Sequence, residues 1–178
     1  MDKNELRKHL QAIRAQIADR SRKDKHIEEA AIQMARAYES VFIYVSMGSE
    51  AGTHGIIGRL LGEGKQVYVP YTMPDKTMHA HRFYGGELQC DRRGNIRSSG
   101  ERQDGQADLI FVPILGYNTD CHRIGYGAGC YDRYFARFAA GYKIGLAYNE
   151  QQCAFDPLPT DIPLDGILTP DRFIRRKI

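Results

Sequence analysis

A three-layer α/β/α fold with a mostly parallel central sheet, in a single domain over residues 1–178, is predicted by three observations. The chain has 178 residues, 42% of them hydrophobic, which suits one domain with a sizeable core. Continuous apolar runs such as Val41-Phe42-Ile43-Tyr44-Val45 read as strands covered on both faces. Stretches with helical spacing lie between these runs, and strands alternating with helices imply parallel pairing.

The elements follow in order. Leu6, Leu10, Ile13 and Ile17 recur at steps of four, three and four, which predicts an amphipathic helix with Lys3, Arg7 and Arg14 near its polar side. Ile27, Ala31, Met34, Ala35 and Tyr38 predict a second helix. The strand over Val41–Val45 comes next. Ile56, Ile57, Leu60 and Leu61 predict a third helix that Gly62 and Gly64 end. Val67-Tyr68-Val69-Pro70 reads as a strand, and the loose alternation over 78–84 as another. Residues 85–107 are rich in Gly, Ser, Arg and Asp without a firm period, so a long surface excursion is expected there. Leu109–Pro113 is a buried strand. A helix from about Tyr131 to Ala139 and short strands at Lys143–Ala147 and Ile167–Thr169 complete the pattern.

Composition narrows the function classes. The formal charge is only +3, so the whole molecule is no general nucleic-acid binder. Positive charge is concentrated at the ends: Lys3, Arg7, Lys8, Arg14, Arg20, Arg22, Lys23 and Lys25, then Arg172, Arg175, Arg176 and Lys177. A solvated basic face and an anion site both fit that pattern. The termini lack the interleaved aromatics of a nucleic-acid platform, so no nucleic-acid partner is expected. The N-terminus lacks the apolar run of a signal peptide, and no window approaches the ~20 apolar residues of a membrane helix. Cys90, Cys121, Cys130 and Cys153 show neither a CxxC pair nor zinc-like spacing with His, so reduced thiols in a cytoplasmic protein are expected.

The most informative stretch is Cys121–Phe135, CHRIGYGAGCYDRYF. Gly125, Gly127 and Gly129 fall at alternate positions after a strand and before a helix. Glycines let the backbone approach an anion closely, and a helix N-terminus offers free N–H groups. Arg123 adds a forked donor, and Asp132 suits a magnesium ion, which prefers carboxylate, water and phosphate oxygens. A nucleotide phosphate site is one reading and a tight turn that binds nothing is the other. The stretch is neither a Walker loop nor a GxGxxG dinucleotide loop.

Arg-Ile-Gly-Tyr-Gly-Ala-Gly-Cys-Tyr-Asp-Arg resembles the signature of 5-formyltetrahydrofolate cyclo-ligases (methenyltetrahydrofolate synthetases). Three further blocks agree in order and spacing: Lys3-x-x-Leu6-Arg7 with Arg14; Tyr44 through Glu50 followed by Thr53; and Asp161-Ile162-Pro163-Leu164-Asp165-Gly166-Ile167-Leu168-Thr169-Pro170. The resemblance covers nearly the whole chain and is weakest over 72–107. It implies an enzyme that uses ATP and magnesium to close 5-formyltetrahydrofolate into 5,10-methenyltetrahydrofolate, releasing ADP and phosphate. The implied route phosphorylates the formyl oxygen, after which N10 attacks the formyl carbon and phosphate departs. Such chemistry needs positioned cations more than a covalent nucleophile.

The resemblance also implies roles. Lys3, Asn4, Glu5, Leu6, Arg7 and Arg14 contact ATP, as does the run Arg123, Ile124, Gly125, Tyr126, Gly127, Ala128, Gly129, Cys130 and Tyr131. Arg123 and Lys3 are the catalytic cations. Val45, Glu50 and the loop from Tyr126 to Cys130 touch the folate, and Glu50 accepts N–H groups of the pterin. Asp132 and Asp161 bind magnesium. Without the resemblance, Asp161 reads as a turn residue before Pro163, Val45 as a core valine and Glu50 as a loop cap. A small-molecule substrate and a monomer or weak homo-oligomer are expected. Three departures stand out: Asn118 where relatives carry Asp, Cys121 in place of a turn glycine, and Cys130 in place of an aromatic residue. They leave a non-catalytic folate- or nucleotide-binding relative as the alternative.

Overall fold

The computed structural model describes residues 2–139 and 141–177. An eight-stranded sheet runs in the order β10-β9-β8-β5-β1-β2-β3-β4. Its centre is parallel: β1 (Ser40–Ile43) pairs with β2 (Gln66–Thr72) and β5 (Leu109–Pro113), and β8 (Tyr142–Leu146) joins β5 to β9 (Gly166–Leu168). Val41 faces Val67 on one side and Leu109 on the other. The edges are antiparallel: β3 (Met78–Phe83) and β4 (Ser99–Arg102) at one, β10 (Phe173–Arg175) at the other.

The period-two alternation of each strand feeds two cores. On one face Val41, Ile43, Val67, Val69, Leu109 and Phe111 pack under helices α2 (Arg20–Ala35) and α3 (His54–Gly62) through Ile27, Ala31, Ile56, Ile57 and Leu60. On the other, Phe42, Tyr68, Ile110 and Val112 meet Tyr134 and Phe135 of α4 (Cys130–Arg137). Each such fully buried large side chain contributes roughly 1.5–3 kcal/mol. These layers are the α/β/α arrangement expected from the alternating pattern.

Helix α1 (Lys3–Ala15) lies at the end of the sheet, where Leu6 and Leu10 pack on Leu115 and Ile124. Asp2 caps it in a reciprocal box with Glu5. It stops before Ile17, and α2 stops before Tyr38, so the apolar period overran both helix ends.

Two parts of the sequence reading change. The 85–107 excursion is not purely surface: it supplies β4, a Cys90–Ile96 bridge, and a buried Ile96 and Asn95. Asn95 ties this segment down by donating to the Thr72 carbonyl at 2.9 Å while its side-chain oxygen accepts the Thr72 N–H at 2.6 Å. Short pairings in a Gly- and Ser-rich segment carry no hydrophobic period, which is why they were illegible. The second change is a small hairpin, β6 (Gly116–Tyr117) with β7 (Arg123–Ile124), just before the glycines. Its turn accounts for two departures. The Asn118 side-chain oxygen accepts the N–H groups of Asp120 and His122, so a neutral amide serves the turn. Cys121 adopts φ 63° with its side chain buried, the left-handed backbone that a glycine would hold without strain.

Candidate active site

The carboxyl ends of β1, β2 and β5 open toward α1 and the glycine stretch. Between them lies a cleft of about 1360 Å³. Open α/β sheets hold ligands at this end of their strands.

The segment after β1 is folded by its own side chains. Buried Thr53 donates its hydroxyl to the Tyr44 carbonyl at 2.7 Å and accepts the Ser46 N–H at 2.9 Å, while the Ser46 hydroxyl accepts the Thr53 N–H at 3.0 Å. The Tyr44 hydroxyl donates to Ala51. This clasp turns Glu50 into the cleft, where one carboxylate oxygen accepts the Met47 N–H at 2.8 Å. Val45 lines the wall beside it.

On the opposite side the glycine loop needs two of its three glycines. Gly127 has φ +99°, and a Cβ there would stand 3.3 Å from the Arg7 guanidinium carbon. Gly129, at φ +65°, begins α4 and leaves the helix's first N–H groups facing the cleft. Arg7 reaches over from α1 and donates to the Gly125 carbonyl at 3.0 Å. Arg14 is buried and donates to Ser49, to the Ile114 carbonyl and, at 2.9 Å, to the Tyr126 hydroxyl.

Cations and acids are interleaved. Arg123 meets Asp132 at 2.8 Å and donates to the Ile162 carbonyl, and Asp132 accepts the Ile162 N–H at 3.0 Å. Lys3 meets Asp161 at 3.0 Å. Burial alone would raise the Asp161 carboxyl; the Leu158 N–H, the Lys3 ammonium and the Arg123 charge outweigh it and hold it below the ordinary value. Burial, followed by the Glu50 charge, pushes the Tyr126 and Tyr131 phenols up, so both stay protonated at neutral pH. The second oxygen of Asp132 and that of Asp161 have no hydrogen-bond donor among the described residues. Two such carboxylates suit a magnesium ion, which takes one or two protein carboxylates and fills its octahedron with water and phosphate.

Lys3, Arg7, Arg14, Val45, Glu50, residues 123–132 and Asp161 therefore line one cleft. Asn4, Glu5 and Leu6 do not line it. Asn4 accepts from Arg7 at 2.7 Å, Glu5 is spent on the helix cap and Leu6 packs beneath. Of the departures only Cys130 borders the cleft. Asn118 lies instead at a separate hollow of about 630 Å³ with Asp120 and residues 152–156. Sequence reasoning missed Met47, Met73, Lys76, Arg92 and Arg93, which also line the cleft. The arginines come from the unperiodic excursion and gave no signal of their own.

Fold and site together define a single-domain α/β protein with one large cleft at the carboxyl ends of its central strands, lined by the cations Lys3, Arg7, Arg14 and Arg123 and by apolar side chains such as Val45, Met47 and Met73. The model of the 5-formyltetrahydrofolate cyclo-ligase family matches residues 1–170, and the chain belongs to that family. It is 31% identical over 186 residues to a 5-formyltetrahydrofolate cyclo-ligase of Mus musculus, covering 94% of this chain and 91% of that one. The Haemophilus influenzae protein of the same name is 25% identical over 188 residues, covering 93% and 96%. Among solved structures, the 5,10-methenyltetrahydrofolate synthetase from Mycoplasma pneumoniae superposes with TM-score 0.77 at 25% identity, covering 96% of this chain and 99% of that one. The Aquifex aeolicus 5,10-methenyltetrahydrofolate synthetase gives 0.79 at 25% identity, covering 98% and 93%.

Proposed function

We propose that the cleft closes 5-formyltetrahydrofolate into 5,10-methenyltetrahydrofolate at the expense of ATP, releasing ADP and phosphate. The observation that carries this reading is the convergence of Lys3, Arg7, Arg14 and Arg123 with Glu50 in one cleft, although they come from distant parts of the chain. In this reading Lys3, Arg7 and Arg123, with the N–H groups at the start of α4, hold the triphosphate. Asp132 and Asp161 hold magnesium, which when bound neutralises charge on the transferring phosphoryl group. Glu50 orients the pterin so that the formyl oxygen meets the γ-phosphoryl. Arg123 and Lys3 then stabilise charge as the phosphoryl moves, and N10 closes on the activated formyl carbon as phosphate leaves.

In this reading the protein acts as a monomer or weak homo-oligomer. Four free cysteines suit a reducing cytoplasm. No helix among the described residues is long and apolar enough to cross a membrane.

The test is absorbance at the methenyl-folate band with protein, magnesium and 5-formyltetrahydrofolate, with and without ATP. An ATP-dependent rise is expected. A flat trace from folded protein that binds ATP would replace this reading with a non-catalytic relative.

A further inference from the structure

The Tyr126 hydroxyl stands between two groups of opposite charge. It donates to the Glu50 carboxylate at 2.5 Å and accepts from the Arg14 guanidinium at 2.9 Å. The guanidinium carbon also lies 5.6 Å from the centre of the Tyr126 ring. Both neighbours are anchored independently of the tyrosine. Arg14 is fixed by Ser49 and Ile114, and Glu50 by the Met47 N–H. The tyrosine itself is less constrained. Its residue is 46% exposed, and it sits between Gly125, where a Cβ would meet nothing within 4 Å, and Gly127 at φ +99°.

The Proposed function, on which this inference rests, requires the same Glu50 oxygens. A pterin's amino and ring N–H groups form a paired donor that needs both oxygens of a carboxylate. One oxygen is held by the Met47 N–H, which can be shared because a carboxylate oxygen has two acceptor sites. The other accepts the Tyr126 phenol at 2.5 Å, so a pterin N–H must compete with that hydroxyl for it.

We propose that Tyr126 is a substrate-displaced latch, a positioning residue that folate must lift from Glu50 and whose departure releases the Arg14 guanidinium for the nucleotide. The two halves of the cleft are thereby coupled. Pterin binding removes the phenol from Glu50, and the Arg14 N–H that the phenol occupied becomes available to a phosphate oxygen. By linkage the effect is reciprocal, so a nucleotide that draws Arg14 away from the phenol favours folate at Glu50.

Calorimetry with 5-formyltetrahydrofolate and a non-hydrolysable ATP analogue tests this, without turnover. Glu50→Gln is expected to weaken folate binding about tenfold or more, since a charged hydrogen-bond acceptor is lost. Tyr126→Phe is expected to tighten folate binding about threefold to tenfold, because the phenol no longer competes, and to have no such effect in the Glu50→Gln background. Wild-type protein is expected to bind the analogue several-fold more tightly when folate is present, and Tyr126→Phe to lose that difference. If Glu50→Gln weakens folate while Tyr126→Phe leaves it unchanged or weaker, the latch is overturned and the assignment of Glu50 stands. If Glu50→Gln has no effect, the assignment and the latch fall together. A second readout uses native tyrosines replaced by 3-fluorotyrosine. Among the 11 tyrosine signals, the fluorine resonance that moves most on Glu50→Gln must also move when folate is added to wild-type protein. A stationary resonance at saturating folate overturns the latch even if Tyr126→Phe does not fold.

Discussion

The Arg123 guanidinium and the Asp132 carboxylate bracket the glycine loop and meet at 2.8 Å, with the arginine side chain only 6% exposed. Asp132 neutralises a buried cation, and in the proposed reading it also holds the magnesium ion. Asp132→Asn is expected to lower magnesium-dependent turnover about 10–100-fold, equivalent to about 1.4–2.7 kcal/mol of barrier. It is also expected to cost about 1–3 kcal/mol of stability, because Arg123 keeps its burial and loses its counter-charge. Thermal unfolding should fall by several degrees. Unchanged kinetics would remove Asp132 from the site, whatever the melting curve shows.

Asp161 gives the fold a specific acid sensitivity. Its carboxyl is held below the ordinary value in the folded chain, so it binds protons less readily folded than unfolded. Its contribution is thus present above the unfolded carboxyl pKa, about 3.9, and is lost as pH falls through the lower folded value. Asp161→Asn removes that contribution at every pH. Chemical denaturation from about pH 6 downward should show wild-type protein converging on the variant in acid. Parallel curves with a constant gap would mean that Lys3 and Leu158 do not hold the carboxylate in solution.

Glu50→Ala separates the two substrates. Arg14 keeps Ser49 and Ile114, and Lys3 and Arg7 do not touch Glu50, so the nucleotide side retains its anchors. The folate KM is expected to rise about tenfold to a hundredfold, the loss of a charged acceptor, while ATP affinity measured alone moves about threefold at most. A larger loss of ATP than of folate binding would contradict the assignment of Glu50 to the pterin.

What the sequence revealed and concealed follows from the physics of each element. β1 and β5 were legible because strands buried on both faces must be apolar throughout, although the apolar run Val41–Val45 continues two residues past the end of β1 at Ile43. The parallel centre followed from the helical spacing between them. The glycine block was legible because alternate glycines before a helix have few purposes. Glu50 and Asp161 were not: each lies in a loop, and only the family resemblance raised them above a cap or a turn. The β6–β7 hairpin and β4 escaped because pairings of two to four residues between backbones leave no side-chain period. Arg92 and Arg93 reach the cleft because a turn elsewhere is tied down, a tertiary fact that no local pattern encodes.

That tie is Asn95, and it can be cut. Its amide completes two hydrogen bonds to Thr72 while nearly buried, and its N–H is held by Asp91. Asn95→Ala leaves the Thr72 N–H and carbonyl unpaired at the end of β2, at an expected cost of about 1–3 kcal/mol. Hydrogen exchange of residues 91–96 should accelerate more than that of β1 or β5, because the loss is local. Uniform acceleration across the sheet would show that the excursion is part of the global folding unit instead.

Cys130 is the departure that borders the cleft, at the first position of α4, with its side chain packed at the margin of the Tyr134 and Phe135 core. The family resemblance implies an aromatic ring there. A thiol covers far less of a flat pterin, and an aromatic contact adds about 0.5–1.5 kcal/mol beyond its area. Cys130→Tyr is therefore expected to lower the folate Kd about twofold to tenfold and to leave ATP binding unchanged. No gain in affinity, in a variant that melts like wild-type protein, would mean that Met47 and Met73 already fill the role of the missing ring. Thioethers contact aromatic rings favourably and adapt to irregular gaps. In that case Met47→Ala should weaken folate binding in wild-type protein by more than it does in Cys130→Tyr.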